Sequence, residues 1–410
     1  MASPGKVLIL VENLPLPFDR RVWLEATTLR DAGYTVSVIC PKGDRAHRED
    51  HVVLDGISIH RYGLPPTSTG VGSYLREYSV AMGMTLRLSI RVLLHEGFDV
   101  IHACNPPDLF FLIAWLYRVA GKRFIFDQHD LSPETFQVQF SGRLAPVYRL
   151  LRLLEWLTYK TADVTIATNE SVRDIARSRG GVPSERIFVV RTGPDFARLR
   201  LVPGEPILKH GKRFLVVYLG VMGPQDGVDL ALQAARILIQ VMGRTDVHFA
   251  FVGKGDYTPT LQKLASSLDL DPWVEFTGRI SDDELIRYLS TADVCLSPDP
   301  ANGLNEFHTM NKTMEYMALG KPVVAFDIRE TRVSAGGAAL YAQPNDVSQF
   351  AQRIADLLDD PAARERLGQI GRERVEQELS WDRTKQPLID AYDYVFARKT
   401  RPDLETTATW

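Results

Sequence analysis

Short apolar, β-branched runs alternate with longer helical stretches along most of this 410-residue chain, and that rhythm limits the fold more than any single residue does. The runs "KVLILVEN" (6–13), "TVSVIC" (35–40), "FDVIHA" (98–103), "RFIFD" (123–127), "DVTIAT" (163–168) and "IFVVRT" (187–192) read as strands buried on both faces. Strand–helix–strand repeats of this kind build parallel sheets with helices on either side. The rhythm pauses at "GPDFARLRLVPGEPILKHGKR" (193–213). It restarts with "FLVVYLG" (214–220), "HFAFVG" (248–253), "VEFTG" (274–278), "ADVCLSP" (292–298) and "KPVVAF" (321–326). The expectation is α/β, with two Rossmann-like parallel-sheet domains of similar size over 1–195 and 196–385. A C-terminal helix over 386–400 is expected to pack back toward the N-terminal domain, ahead of a disordered tail, 401–410. Such sheets bind ligands beyond the carboxyl ends of their strands. Two of them are expected to face across a cleft, with one ligand on each wall.

The composition, 45% apolar and 24% charged, is that of an ordinary globular protein. A net charge of −3 argues against a general nucleic-acid binder. Cys40, Cys104 and Cys295 each sit in or beside an apolar run, none at metal-ligand spacing, as buried thiols of a reducing compartment would. The start "MASPGK" has no apolar signal core, and no run approaches the ~18 apolar residues of a membrane span. A cytoplasmic protein is expected, at most peripheral at the inner face of a membrane. The stretch for that contact is 143–160, "RLAPVYRLLRLLEWLTYK", where Leu151, Leu154 and Leu157 interleave with Arg149, Arg152 and Lys160. The commoner reading of that pattern is a core-facing helix with its basic residues in water.

Two helix starts carry candidate chemistry. In "FDRRVWLEATTLRDAG" (18–33), Asp19 can cap, Gly33 can terminate, and Val22, Ala26 and Leu29 line one face. Arg20 and Arg21 then lie at the end of the first strand. They are placed to hold an acceptor phosphate or a donor diphosphate, or else form a solvated cluster around the cap. In "NKTMEYMALGKPVV" (311–324), a helix beginning near Thr309 puts Lys312 in its first turn, where the macrodipole disfavours a cation. A phosphate bound there would reverse that preference, and Glu315, three residues on, could accept from ribose hydroxyls. Spacing alone fits a surface ion pair between the two slightly better. Downstream of "VEFTG", Ser281 and Glu284 form a capping box, which leaves Arg279 unexplained.

"MEYMALGKPVVA" (314–325), "FVGKGD" (251–256), "VEFTGRISDDEL" (274–285), "NLPLPFDRRVWLEATTLRDAGYTVSVI" (13–39) and "DQHDLSPE" (127–134) together resemble the GT-B retaining glycosyltransferases of family 4, over nearly the whole chain. The resemblance implies transfer of a sugar from a nucleoside-diphosphate sugar, UDP favoured, to a hydroxyl of a glycan, lipid-linked or small-molecule acceptor. It implies retention at the anomeric carbon, no metal and no cofactor beyond the donor. It assigns the donor to Gly220, Met222, Gly223, Gly253, Leu304, Asn305 and Asn311, with Lys312 and Arg279 toward the diphosphate and Glu315 on the ribose. His129 would contact the transferred sugar, and Asp130 and Glu134, with Asp19, Arg20 and Arg21, the acceptor.

Two departures stand out. In the family's Glu-x7-Glu signature the second acid is Glu315, but the first position is Phe307, with Glu306 one residue away. An arginine and a lysine common after the first C-domain strand are replaced by Val221 and Asp226, which makes Lys312 the leading cation for the diphosphate. His129, Lys312 and Glu306 are the expected catalytic residues. The rival readings are a nucleotide-sugar 2-epimerase of the same fold, a glycogen- or sucrose-type transferase, and a catalytically weak nucleotide-sugar-binding relative.

Overall fold

The computed structural model describes residues 4–43, 46–65, 71–140 and 145–397, so the tail over 401–410 lies outside the described residues. The chain divides into two compact units, residues 1–191 with 385–410, and residues 192–384.

The first unit holds eight strands: β1 (Lys6–Leu10), β2 (Thr35–Pro41), β3 (His51–Leu54), β4 (Ile57–Tyr62), β5 (Val100–Cys104), β6 (Arg123–Gln128), β7 (Val164–Ala167) and β8 (Ile187–Val189). Their order is β3-β4-β2-β1-β5-β6-β7-β8. Every neighbouring pair is parallel except β3 and β4, which form an antiparallel hairpin at the edge. The hairpin corrects the all-parallel expectation. Its cause is local: Asp55 and Gly56 both take positive φ, 48° and 79°, the two-residue turn whose twist matches antiparallel strands. The helix Arg20–Asp31 starts as expected, with Asp19 Oδ1 accepting from Val22 N at 3.1 Å. Its buried face adds Arg21 and Glu25 to the apolar stripe. The last helix, Gln386–Ala397, packs on β7 and β8 of this unit.

The second unit is a six-stranded parallel sheet: β9 (Phe214–Leu219), β10 (Val247–Val252), β11 (Val274–Gly278), β12 (Val294–Ser297), β13 (Val323–Phe326) and β14 (Ala339–Ala342). The reading of the sequence passed over β14. On β9, Phe214, Val216 and Tyr218 enter one core cluster while Leu215 and Val217 enter another, so both faces are covered. Each such side chain contributes roughly 1.5–3 kcal/mol of burial. The order β11-β10-β9-β12-β13-β14 reverses between β9 and β12, as the first sheet reverses between β1 and β5. At such switch points the loops leaving the strand ends diverge and open a crevice.

Candidate functional site

In the first unit, charged side chains converge below the carboxyl ends of β5 and β6. Arg21 forks onto Asp127, with Nη2 donating to Oδ1 at 2.8 Å and Nε to Oδ2 at 3.3 Å. Its Nη1 donates to Val190 O at 2.8 Å, and Nη2 lies 3.0 Å from Glu25 Oε1. Burial alone would raise the Asp127 carboxyl; Arg21, with His129 and His102, outweighs it and holds Asp127 well below the usual carboxylate range. Burial pushes Glu25 the other way, well above its range, and also lowers His102 and raises the Cys104 thiol. Arg21 and Asp127 thus form the central ion pair of the cluster, and burial opposes charge on Glu25, His102 and Cys104 around it. His129 Nε2 donates to Asp127 Oδ2 at 2.5 Å. Asn105 fixes the adjoining backbone, its Oδ1 accepting from His129 N at 2.7 Å and Asp130 N at 3.1 Å. His129 thus stands at a strand end with its Nε2 committed to Asp127 and its main chain clamped.

Glu12, just beyond β1 at the first switch point, is buried. Burial, reinforced by Glu77, lifts its carboxyl to about 7. The folded chain keeps this proton up to about pH 7, whereas the unfolded chain releases it near 4.5. The contribution to stability is therefore complete below about pH 4.5 and is lost as the pH rises through that window. Glu12→Gln, which stays neutral, is expected to raise stability by up to about 3 kcal/mol at pH 8 and hardly at all at pH 4. Urea melts of the two proteins at both pH values test this; equal gains at the two pH values would refute the assigned cause.

In the second unit the crevice lies at the ends of β9 and β12. The turn after β9 is close-packed: a Cβ on Gly253 would sit 1.9 Å from Gly220 O, and one on Gly227 1.9 Å from Pro298 O. Both positions have positive φ, so glycine is required on both counts. Lys312, in the first turn of the helix Asn311–Ala318, donates to Asp299 Oδ1 at 2.6 Å. Its ammonium lies 4.8 Å from the centroid of the Tyr218 ring. Ser297 Oγ donates to Asp299 Oδ2 at 2.7 Å. The Lys312 side chain is 9% exposed and that of Asp299 is 1% exposed. A carboxylate of the protein itself, just past β12, thus offsets the lysine's charge at this helix start, where a bound phosphate or a surface pair with Glu315 was expected. Glu315 pairs with Arg198, not with Lys312, which corrects the expected surface pair. Burial raises Asp226, against Lys312, which lowers it.

Several other expected site residues are engaged within the protein. Glu134, expected to approach the acceptor, forms a two-pronged pair with Arg179, at 2.6 and 3.2 Å. Arg21, expected to hold a phosphate, is buried on Asp127 and Glu25. Asp19 acts as the helix cap, and Arg20 is half-buried beside it. The amides of Leu304 and Asn305 donate to Asn302 Oδ1 at 2.9 and 2.8 Å, and that of Gly223 to Asp226 Oδ2 at 2.8 Å. The Gly220 amide donates to Val252 O and that of Gly253 to Gly278 O, both at 3.0 Å. The Met222 side chain belongs to the core. Glu306 accepts from Arg329 N at 3.2 Å. Arg279 is exposed in the turn after β11, and Asn311 is exposed at its helix start.

The sequence reading missed Asp127, Glu25, His102, Asp299 and Arg198. Arg21 and Glu25, four apart on the face that carries Val22, Ala26 and Leu29, were a visible hint; so was Asp127 at the end of an apolar run. Nothing in the sequence ties Asp299 to Lys312. Among the described residues, Glu25, His102, Cys104 and Asp127 offer ligand atoms within 4.8 Å of one another, as do His51, His60 and Glu96, and His210, His248 and Glu275. At the first of these Arg21 already supplies the positive charge.

Models of two families match the chain: Glycosyltransferase Family 4 over residues 19–198, and Glycosyl transferases group 1 over 213–360. The chain is 33% identical over 164 residues to a GDP-mannose-dependent monoacylated alpha-(1-6)-phosphatidylinositol monomannoside mannosyltransferase of Corynebacterium glutamicum, a match covering 39% of this chain and 42% of that protein. It is 25% identical over 387 residues to a glycogen synthase of Mycobacterium tuberculosis, covering 91% and 90%. Among solved structures, sucrose-phosphate synthase from Thermosynechococcus elongatus superposes with a TM-score of 0.80 at 19% identity, covering 96% of this chain and 99% of that one.

Proposed function

Because the chain belongs to the glycosyltransferases of family 4 and group 1, with the GT-B fold, we propose that it moves a sugar from a nucleoside-diphosphate sugar to an acceptor hydroxyl with retention, and without a metal. The observation that carries this reading is the grouping at the β9/β12 switch point. Lys312 is fixed by Asp299 in the first turn of a helix that no side chain caps, and Glu315 lies one turn further along. A lysine ammonium has three protons and Asp299 engages one. The others, with the helix-start amides, suit the charge that grows on a departing diphosphate. In the reaction the bond from the anomeric carbon to the phosphate oxygen breaks. The bond to the acceptor oxygen forms on the same face, and the acceptor proton passes to the leaving phosphate. Glu315 is proposed to take the ribose hydroxyls, and His129, aimed by Asp127, to contact the transferred sugar. UDP is the favoured base. One relative is named as GDP-mannose-dependent, so both bases belong in the test. Glycans, lipid-linked sugars and small molecules are the proposed acceptors.

Thermal melts with UDP, GDP and their sugars, alongside an assay for released nucleoside diphosphate, test this. Saturating donor is expected to stabilise the protein by about 3 kcal/mol at a hundredfold excess over Kd. Glu315→Ala is expected to weaken nucleotide binding about tenfold or more. Stabilisation by none of these compounds, with no diphosphate released in the presence of acceptors, would reject the reading.

A further inference from the structure

Two helices of the first unit turn apolar side chains outward. In the helix Phe111–Arg118 and the residue after it, Leu112, Trp115, Leu116 and Val119 are exposed, Leu116 at 59% and Val119 at 94%. In the helix Ala145–Thr161, Leu150 (52%), Leu153 (50%) and Trp156 (42%) form a solvent-facing stripe, while Leu154 and Leu157 on the other side pack on the core. The two helices pack against one another, and Arg118 Nη1 donates to Thr161 O at 3.0 Å. This revises the core-facing reading of 143–160: apolar residues occupy both faces. A soluble surface scatters its exposed apolar residues singly, whereas a contiguous set marks a surface for docking.

Charge selects the partner. Arg118, Arg149 and Lys160 are exposed among these apolar residues, with the Lys160 ammonium 5.8 Å from the centroid of the Trp156 ring. The helix Phe111–Arg118 contains no acid. The only acid of Ala145–Thr161 is Glu155, which is buried on Arg179. Among the described residues of these two helices the exposed charge is therefore wholly positive. Among the described residues, no helix is long and apolar enough to cross a membrane. Indole rings, leucines and basic side chains on one face match the boundary between anionic headgroups and acyl chains. We infer that this two-helix face docks the protein on an anionic lipid surface, lying on the bilayer with Trp115 and Trp156 at headgroup depth.

The test is flotation of the full chain with vesicles of phosphatidylcholine alone, or mixed equally with phosphatidylglycerol, at low and high salt. Binding is expected to the mixed vesicles only, and to weaken with salt. Arg149→Glu/Lys160→Glu is expected to lower the bound fraction about tenfold or more. Trp115→Ser/Trp156→Ser is expected to lower binding and to abolish quenching of tryptophan emission by brominated lipid. Both variants should keep the wild-type melting temperature and its shift with nucleoside diphosphate, since neither pair touches the donor residues. Failure of wild type to float with anionic vesicles overturns the inference. So does unchanged flotation of both variants, or a wild-type dimer in light scattering that the tryptophan variant dissociates.

Discussion

Asp127→Ala is expected to destabilise the first unit by about 3–5 kcal/mol, because it leaves the Arg21 guanidinium buried without its partner. Glu25 also lies beside Arg21, but burial opposes its ionisation, which makes it a poorer partner than Asp127. Replacing both partners, as Arg21→Met/Asp127→Leu, is expected to recover most of the loss, because no unpaired charge then remains inside. Urea melts of the single and double variants measure this. A single-variant loss below about 1 kcal/mol would contradict the ion-pair account. Function gives a second readout. His129 Nε2 loses its acceptor in Asp127→Ala, so turnover is expected to fall more than nucleotide binding does. A fall in both by the same factor would mean that Asp127 only holds the fold.

Lys312→Ala is the second large effect, and it has two separable parts. Asp299 is almost fully buried, and without Lys312 its charge has lost its partner, at a cost of about 3–5 kcal/mol. Asp226 is also near enough to feel the loss. If the amine additionally grips the donor, affinity for a nucleoside diphosphate falls about 10- to 100-fold while that for the nucleoside does not. A melt of the single variant mixes the two parts. The double variant Lys312→Met/Asp299→Asn separates them: stability is expected to recover largely and diphosphate affinity is not. Calorimetric titration with UDP and uridine, or GDP and guanosine, reads the difference. Wild-type diphosphate affinity in the double variant would leave Lys312 with a purely structural role.

The strands that carry both sites were legible because strands buried on two faces spell themselves out as unbroken apolar runs. β1, β9 and β12 lie within the stretches read as strands, and β2, β5, β6 and β10 overrun theirs by a single residue. The caps at Asp19 and Ser281 were legible for a similar reason: each involves partners three residues apart, Asp19 with Val22 and Ser281 with Glu284. The β3–β4 hairpin was equally local, and its Asp55–Gly56 turn was simply passed over.

The pairing of charges was of another kind. Lys312 and Glu315 sit three apart on one helix and look like partners, yet each answers to a residue far off in the chain, Asp299 past β12 and Arg198 before β9. Arg21 and Asp127 are 106 positions apart. By itself, the sequence determined most of the succession of strands and helices, and which residue types gather near the strand ends, because these depend on neighbours within a few positions. Only the tertiary structure decided which carboxylate neutralises which cation. Burial makes an unpaired charge costly, and the partner that offsets that cost is chosen by sheet order, which no local pattern encodes.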